Sequence, residues 1–176
     1  MAALWREGVA APLILTAELP THVARWLNVL RQTHYPSGAA RAAAHLGLFR
    51  HLPGPQAQAI ARDVQRMAAE MPAAPVFLEG LMKPDSAVSL RAKSPDLDAL
   101  RERLADWWQP LLVPGDAVAP RLHITIAAGL SAHEARALAA KLAPEVPPTR
   151  FTSRALLLWQ HGEPHWTPLV RLAFRR

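Results

Sequence analysis

The chain has 176 residues and no cysteine, about half of its residues are apolar, and its formal net charge at neutral pH is +6. This length suits one domain, or two small halves that share a core, and the apolar content indicates a packed globule. The lack of cysteine excludes a disulfide framework, a thiolate nucleophile and any cysteine-based metal site. The positive charge suits a phosphate-bearing partner. A compositional bias toward Arg, Ala and Pro explains the same charge, because the basic residues are dispersed.

The first 20 residues do not resemble a signal peptide. Their apolar stretch is short, and Arg6 and Glu7 interrupt it. No apolar run in the chain reaches the ~20 residues that a membrane-spanning helix needs. We therefore expect this segment to belong to the mature chain, and we expect a soluble cytoplasmic protein.

The first half of the chain alternates strand and helix patterns. An apolar run at 12–18 predicts a strand, and a helix follows it with Thr21 as the N-cap. The turn residues at 35–38 should end this helix, and a second strand is predicted at 44–49. A Gly-Pro pair then opens a helix whose apolar residues recur at helical spacing. A third strand is predicted at 76–81.

The second half repeats this order. A strand is predicted at 87–92, and Ser94 begins a helix with leucines on one face. The next strand is predicted at 122–127. Ser131 and Glu134 then form a capping box that begins another helix. The chain finishes with two more predicted strands, at 155–159 and 168–174. A turn-rich segment at 161–164 joins them.

Each half therefore runs strand, helix, strand, helix, strand, with the halves at about 12–82 and 86–174. In both halves the second strand opens with a histidine, His45 in the first and His123 in the second. In both, the next helix begins about eight residues after the histidine. The sequence thus predicts a single duplicated α/β domain over residues 1–176.

The two histidine strands have the same phase. Side chains alternate between the two faces of a strand, so His123 and Thr125 lie on one face while isoleucines occupy the other. In the first half, His45, Gly47 and Phe49 share one face and leucines occupy the opposite one. Each strand can therefore present an imidazole to a ligand while its other face packs in the core.

Two imidazoles facing one phosphorus would suit the in-line cleavage of a phosphodiester. That reaction needs a base to activate the attacking oxygen and an acid to protonate the leaving oxygen. Imidazole has an ordinary pKa of about 6.5, so one histidine can be neutral and the other charged near neutral pH. A hydroxyl two positions along, as at Thr125, can donate to a phosphate oxygen. This chemistry requires no metal.

Paired H-x-[ST]-x strands separated by roughly eighty residues are the signature of the 2H phosphoesterase superfamily. The chain resembles that superfamily at His45 and His123, which are 78 positions apart. It looks most similar to the bacterial 2′-5′ RNA ligase / RNA 2′,3′-cyclic phosphodiesterase branch. The segments that carry this resemblance are HLGLFRHLPG and LLLWQHGEPHWTPL, and the likeness covers nearly the whole chain.

The resemblance implies an α+β fold, a bilobal pseudo-twofold domain in which two antiparallel sheets line a central groove and helices pack outside. It implies that His45 and His123 are general acid and base, without deciding which is which, and that Thr125 holds phosphate oxygens. The implied substrates are RNA ends or nucleotides with a 2′,3′-cyclic phosphate, hydrolysed without a cofactor. The resemblance also implies reversible 2′-5′ RNA ligase activity. We expect a monomer that does not bind membranes.

Gly47 departs from the family pattern, which has Ser or Thr at this position. One phosphate-directed hydroxyl is missing, although the backbone N–H remains. Two alternatives therefore stay open: a non-catalytic nucleotide- or RNA-end-binding module, and 2H-type chemistry on a non-RNA phosphodiester. The second motif is also followed by two alanines where family members often carry a basic residue. The candidates to replace that residue are Arg121, Arg50 and His51.

The substrate-binding residues predicted for the groove are Gly47, Phe49, Arg121 and Tyr35. Phe49 would suit stacking on a base, and it would equally suit the core or the rim. His161 and His165 have metal-like spacing, but they flank a turn with no third ligand in view, so we expect a surface hairpin and no metal site. The tryptophans at helix ends and in the last hairpin are expected in the core.

Overall fold

The computed structural model describes residues 11–35, 42–82, 85–162 and 165–175. The predicted features at Arg6, Glu7, 36–38 and 163–164 lie outside these residues. The strands are β1 (Leu13–Ala17), β2 (Leu46–Leu52), β3 (Ala74–Leu81), β4 (Ala87–Lys93), β5 (His123–Ala128), β6 (Thr149–Ser153), β7 (Ala155–Gln160) and β8 (Thr167–Ala173). The α-helices are α1 (Thr21–His34), α2 (Ala57–Glu70), α3 (Pro95–Trp107), α4 (Pro114–Ala117) and α5 (Ala132–Leu142). None of the helices in these ranges has both the length and the apolar character needed to cross a membrane.

The strands form two four-stranded antiparallel sheets, in the orders β2-β1-β7-β8 and β5-β4-β3-β6. The expected α+β fold with two antiparallel sheets is confirmed. Strands β2 and β5, which carry the two histidine motifs, are equivalent edge strands that lie next to β1 and β4. This matched placement brings the two motifs to corresponding positions in the two sheets.

Each sheet draws strands from both halves of the sequence. Strand β3 belongs to the first half but pairs with β4 and β6, whereas β7 of the second half pairs with β1. The two sheets therefore do not each correspond to one stretch of chain. This exchange of the third strand ties the halves together, because neither sheet can form from one half alone.

The helix starts follow the local chemistry of the sequence, with one correction. Ser94 caps α3 through its hydroxyl, and Ser131 and Glu134 form the predicted capping box of α5. Thr21 does not cap α1. It is already the first helical residue, and the preceding proline occupies the cap position without a side-chain hydrogen bond.

The hydrophobic core lies between the sheets and their helices as one cluster of buried side chains. Helix α2 shows how the sequence builds it. Ile60, Val64, Met67 and Ala68, which recur at helical spacing, are all at most 3% exposed. Full burial of a large aliphatic side chain contributes about 1.5–3 kcal/mol, so this face holds the helix on its sheet.

Two strand assignments differ from the sequence prediction. The first motif strand begins at Leu46 rather than Ala44 and continues to Leu52. Strand β6 was not predicted at all. It has only one large apolar residue, Phe151, and it lies at the edge of its sheet beside β3, so its sequence carries little of the apolar alternation that identifies a strand.

Candidate active site

A groove of about 850 Å³ lies between the two motif strands. Its walls include the predicted residues His45, Gly47, His123, Thr125 and Tyr35. The two sheets thus bring both histidines and the single motif hydroxyl to one cavity. Such a volume is within the range of small-molecule sites.

The two histidines are held by the same contact. The Nδ1 atom of His45 lies 2.7 Å from the carbonyl oxygen of Ala43, and the Nδ1 atom of His123 lies 2.8 Å from that of Arg121. A carbonyl oxygen only accepts hydrogen bonds, so Nδ1 carries the proton in each ring. Nε2 is therefore the ring atom of each imidazole that can accept a proton.

The electrostatic surroundings favour neutral His45. Burial in the groove wall lowers the pKa of His45 below its ordinary 6.5, and the cations Arg31 and Arg50 and the nearby His123 lower it further. The hydrogen bond to Ala43 acts in the opposite direction but is the smaller effect. At neutral pH this ring is consequently poised to accept a proton.

Both motif strands contain a β-bulge at the same place. Gly47 pairs with Thr16 on β1, but Phe49 pairs with the neighbouring Leu15, so one extra residue of β2 stands between them. In β5 the same shift follows Thr125. A bulge reverses the alternation of faces beyond it. The fifth residue after each histidine then lines the groove, Arg50 in β2 and Ala128 in β5.

The bulge makes the prediction for Phe49 wrong. Phe49 is 0% exposed and belongs to the core instead of the groove. Its ring meets the edge of Trp108 at 5.3 Å between centroids, and the guanidinium of Arg101 lies 4.8 Å from it. Simple alternation from His45 placed it on the ligand face, and the extra residue in β2 turns it inward.

Arg50 occupies the groove position that sequence alternation assigned to Phe49. Its Nη2 atom lies 3.4 Å from Nε2 of His123, so the first strand reaches the histidine of the second. The buried carboxylate of Asp116 accepts hydrogen bonds from the backbone N–H groups of Arg50, at 3.0 and 3.1 Å, and of His51, at 2.7 Å. A carboxylate from α4 therefore fixes the backbone at the point where Arg50 leaves the strand.

Thr125 is supported from two sides. Ser89, its partner on β4, donates its hydroxyl to Thr125 Oγ1 at 3.3 Å, which leaves the Thr125 hydroxyl free to donate into the groove. The guanidinium of Arg31 donates to the carbonyl oxygen of Thr125 and, at 2.7 Å, to that of Ala42. Arg31 is 4% exposed, so it joins α1 to both motif regions from beneath the groove.

The remaining two substrate-binding predictions have different outcomes. Tyr35 lines the groove, where the guanidinium of Arg31 lies 5.2 Å from its ring centroid. Arg121 is not among the groove-lining residues; it is exposed and meets His123 through its backbone carbonyl. Arg121 precedes the strand, so its side chain is not directed by the sheet in the way that Arg50 is.

Several groove residues were not predicted as such. Ser89, His161 and Trp166 line the cavity together with Arg31, whereas Arg50 and His51, which also line it, were already candidates from the sequence to replace the missing basic residue. Arg31 had a usable signal, because it continues the i, i+4 row of buried residues on α1 and a cation on an apolar face needs a partner. Ser89 also had a usable signal in the sequence, because alternation along the predicted strand puts this polar residue on the same face as Ala87.

The expected roles of the last hairpin also change. His161 reaches the groove, where the sequence suggested a surface hairpin. Trp159 and Trp166 are half-buried and stand outside the core cluster, and Trp107 at the end of α3 is 53% exposed, contrary to the expectation for them. Trp108 is buried as expected. In the described part of the chain, no group of three or more His, Asp or Glu side chains is arranged to hold a metal ion.

The fold and the paired motif strands define a two-lobed α+β protein with a histidine-lined groove, and comparison places it in a family. Residues 19–165 match the model of the 2′-5′ RNA ligase superfamily, and the chain belongs to that superfamily. This is the 2H phosphoesterase group that the motifs predicted. No functionally curated protein matches the chain.

Solved structures share the fold over almost their entire length. TT0787 of Thermus thermophilus has a TM-score of 0.67 and 19% identity, covering 93% of this chain and 98% of its own. LigT of E. coli, complexed with 3′-AMP, has a TM-score of 0.63 and 19% identity, covering 94% and 99%. A structure described as a phosphoesterase has a TM-score of 0.62 and 18% identity, covering 95% and 99%.

Proposed function

We propose that this protein is a metal-independent phosphoesterase that opens 2′,3′-cyclic phosphodiesters on RNA ends or small nucleotides in the cytoplasm. The observation that carries the proposal is the pair of equally held imidazoles, His45 and His123, in one groove. Family membership supports phosphoesterase or RNA-ligase chemistry in general. The 3′-AMP bound by LigT supports a nucleotide as ligand of this fold.

In this proposal His45 is the general base and His123 the general acid. The lowered pKa of His45 keeps its Nε2 free to take a proton from the attacking water. The new P–O bond forms as the bond to the 3′-oxygen breaks, and His123 gives that oxygen a proton. The products are a 2′-phosphomonoester and a 3′-hydroxyl. Ligation would use the same two proton transfers with an RNA 5′-hydroxyl as the nucleophile in place of water, and would join the two ends by a 2′-5′ phosphodiester.

The phosphate would be bound by groups from both strands. Thr125 supplies a hydroxyl and Arg50 a guanidinium, and both lie on the groove wall. Charge-assisted hydrogen bonds from a guanidinium are stronger than those from a hydroxyl. Arg50 thus offers a replacement for the hydroxyl that Gly47 lacks. An anionic phosphate would also draw Arg50 away from Nε2 of His123.

The test is hydrolysis of 2′,3′-cyclic nucleotides in the presence of a chelator, comparing the wild type with His45→Ala and His123→Ala. Loss of a general acid or base costs roughly 10²–10⁴ in rate, so each variant should lose that much of kcat. His133→Ala is the matched control, because His133 is exposed on α5. Full activity in either groove variant would contradict the proposal.

Gly47 supports one second candidate, a non-catalytic module that binds nucleotides or RNA ends. The loss of a phosphate donor weakens the stabilisation of transition-state charge more than it weakens ground-state binding. This candidate predicts affinity for a cyclic nucleotide without turnover. Calorimetric titration of the wild type with a cyclic nucleotide, together with the hydrolysis assay, separates the two: binding with turnover supports the enzyme, binding alone supports the module, and no binding rejects both.

A further inference from the structure

A second cavity of about 380 Å³ opens beside the groove, and it is called the annex here. His45, Ala42 and Trp166 line both cavities, so the annex adjoins the groove at the proposed base. Its other walls come from β1, α1, β7 and the residues that follow β7. The residues from these elements include Ala17, Leu19, Ala24, Leu157 and Trp159.

The annex walls are aromatic and aliphatic. Trp166 lies between His45, at 4.5 Å between ring centroids, and Trp159, at 6.4 Å. Both indoles are only half-buried, neither packs in the core cluster, and both line the annex. Half-exposed tryptophans inside a cavity are typical of sites that bind flat, apolar groups.

Polar groups of the annex are already engaged within the protein. The indole N–H of Trp159 donates to Thr16 Oγ1 at 2.9 Å, and Asn28 Oδ1 accepts the N–H of Ala44 at 2.7 Å. These bonds fix one indole and the segment before His45. The annex is therefore a preformed wall that offers stacking surface, which lowers the ordering cost of binding.

We propose that the annex binds the nucleobase of the cyclic nucleotide whose phosphate occupies the groove. The inference rests on the proposed function and names the part of the substrate that the annex would recognise. A base has a flat face that stacks on indole. Its ribose links it to the phosphate, and the annex adjoins the groove through the shared residues His45, Ala42 and Trp166. Trp166 then contacts both the base and His45.

The experiment compares adenosine 2′,3′-cyclic phosphate with methyl β-riboside 2′,3′-cyclic phosphate, which keeps the ribose and the phosphodiester but lacks the base. The readout is the ratio of kcat/KM for the two substrates. Two variants change the annex in opposite ways: Trp166→Ala removes a wall, and Leu157→Trp fills the space. Trp107→Ala is the control, because Trp107 is 53% exposed at the end of α3.

Base–aromatic stacking contributes enough that its loss should lower the ratio by roughly 5- to 100-fold in both annex variants, with no change in the control. Because the ratio cancels effects on His45 itself, a general loss of activity does not imitate this result. An unchanged ratio in Leu157→Trp would overturn the annex proposal and leave the proposed function standing.

If the wild type hydrolyses neither substrate, that result contradicts the proposed function but leaves the annex proposal open to a separate test. The annex is then tested by titrating the folded protein with adenosine and following tryptophan fluorescence. Saturable quenching in the wild type that is lost in Leu157→Trp supports the annex as a base site. Absence of quenching in the wild type overturns it.

Discussion

Strands β2 and β5 are built alike and equipped differently. Both are edge strands, both hold a histidine through its Nδ1 atom, and both bulge directly after the third motif residue. At that third position β2 has Gly47 and β5 has Thr125. At the groove position beyond the bulge β2 has Arg50 and β5 has Ala128. Under the proposed function each strand therefore supplies one phosphate ligand, the hydroxyl of Thr125 from β5 and the guanidinium of Arg50 from β2.

This difference teaches that a departure from a motif has to be judged on the whole site. Considered alone, Gly47 removes a donor and suggests a weak or inactive enzyme. With the bulge included, the same strand delivers a guanidinium to within 3.4 Å of the opposite histidine. Either strand can present a side chain to the groove at this position, because both have a bulge at the same place and the bulge turns the residue beyond it toward the groove.

The largest effect after loss of a histidine should come from Thr125→Val, which removes the only motif hydroxyl. Loss of one oxyanion-type donor costs roughly 10²–10³ in kcat, and we expect a fall of that size. Thr125→Ser is the matched control, since it keeps the hydroxyl and the Ser89 contact. Steady-state kinetics on a cyclic nucleotide measures both. Equal activity of the Val and Ser variants would mean that β5 contributes only its histidine.

Removal of the β2 guanidinium should have the next largest effect. We expect Arg50→Gln to lower kcat/KM by roughly 10-fold, the magnitude of about 1.4 kcal/mol for a charge-assisted contact at an open groove. The double variant Arg50→Gln/Ala128→Arg returns a cation to the groove from the other strand. Partial recovery in the kinetic assay would establish that the two positions are equivalent. An unchanged kcat/KM in Arg50→Gln would mean that β2 supplies no phosphate ligand from this position.

A smaller effect, and a gain, is expected from Gly47→Thr. An added Cβ at this position has nothing within 4 Å, and no positive φ is found there, so the backbone and the space around Cβ permit a side chain. The new hydroxyl should raise kcat by several-fold, which is less than the full effect of one donor, because in the proposed site Arg50 also binds the phosphate. A matched Gly47→Val variant tests shape without the hydroxyl. Equal kcat values for Gly47→Thr and Gly47→Val would refute the hypothesis that position 47 lacks a phosphate donor.

The smallest effect concerns pH. As the base, His45 must be unprotonated, so activity is lost as the pH falls through its pKa, which burial and nearby cations hold below the ordinary 6.5. Arg50→Gln removes one of those cations and raises the pKa, so the acid limb of the kcat/KM profile should move to higher pH. Arg50→Lys keeps the charge and should leave the limb in place. A shift toward lower pH in the Gln variant would exclude His45 as the base.

The sequence predicted much of the fold because the relevant signals are local. Apolar periodicity placed α2 and its buried face, and the serines at 94 and 131 marked the starts of α3 and α5. Repetition of the strand–helix order identified the duplication. It could not reveal that β3 and β7 exchange sheets, since strand pairing depends on contacts between residues far apart in the chain.

For the site, the sequence by itself determined that His45 and His123 open equivalent strands and that Thr125 shares a face with its histidine. Period-2 alternation is a property of any strand, so these placements needed no partner. Only the tertiary structure decided that Phe49 turns into the core and Arg50 into the groove. A bulge is a mismatch between paired strands, and it exists only once β1 lies beside β2 and Asp116 from α4 has bound the displaced backbone.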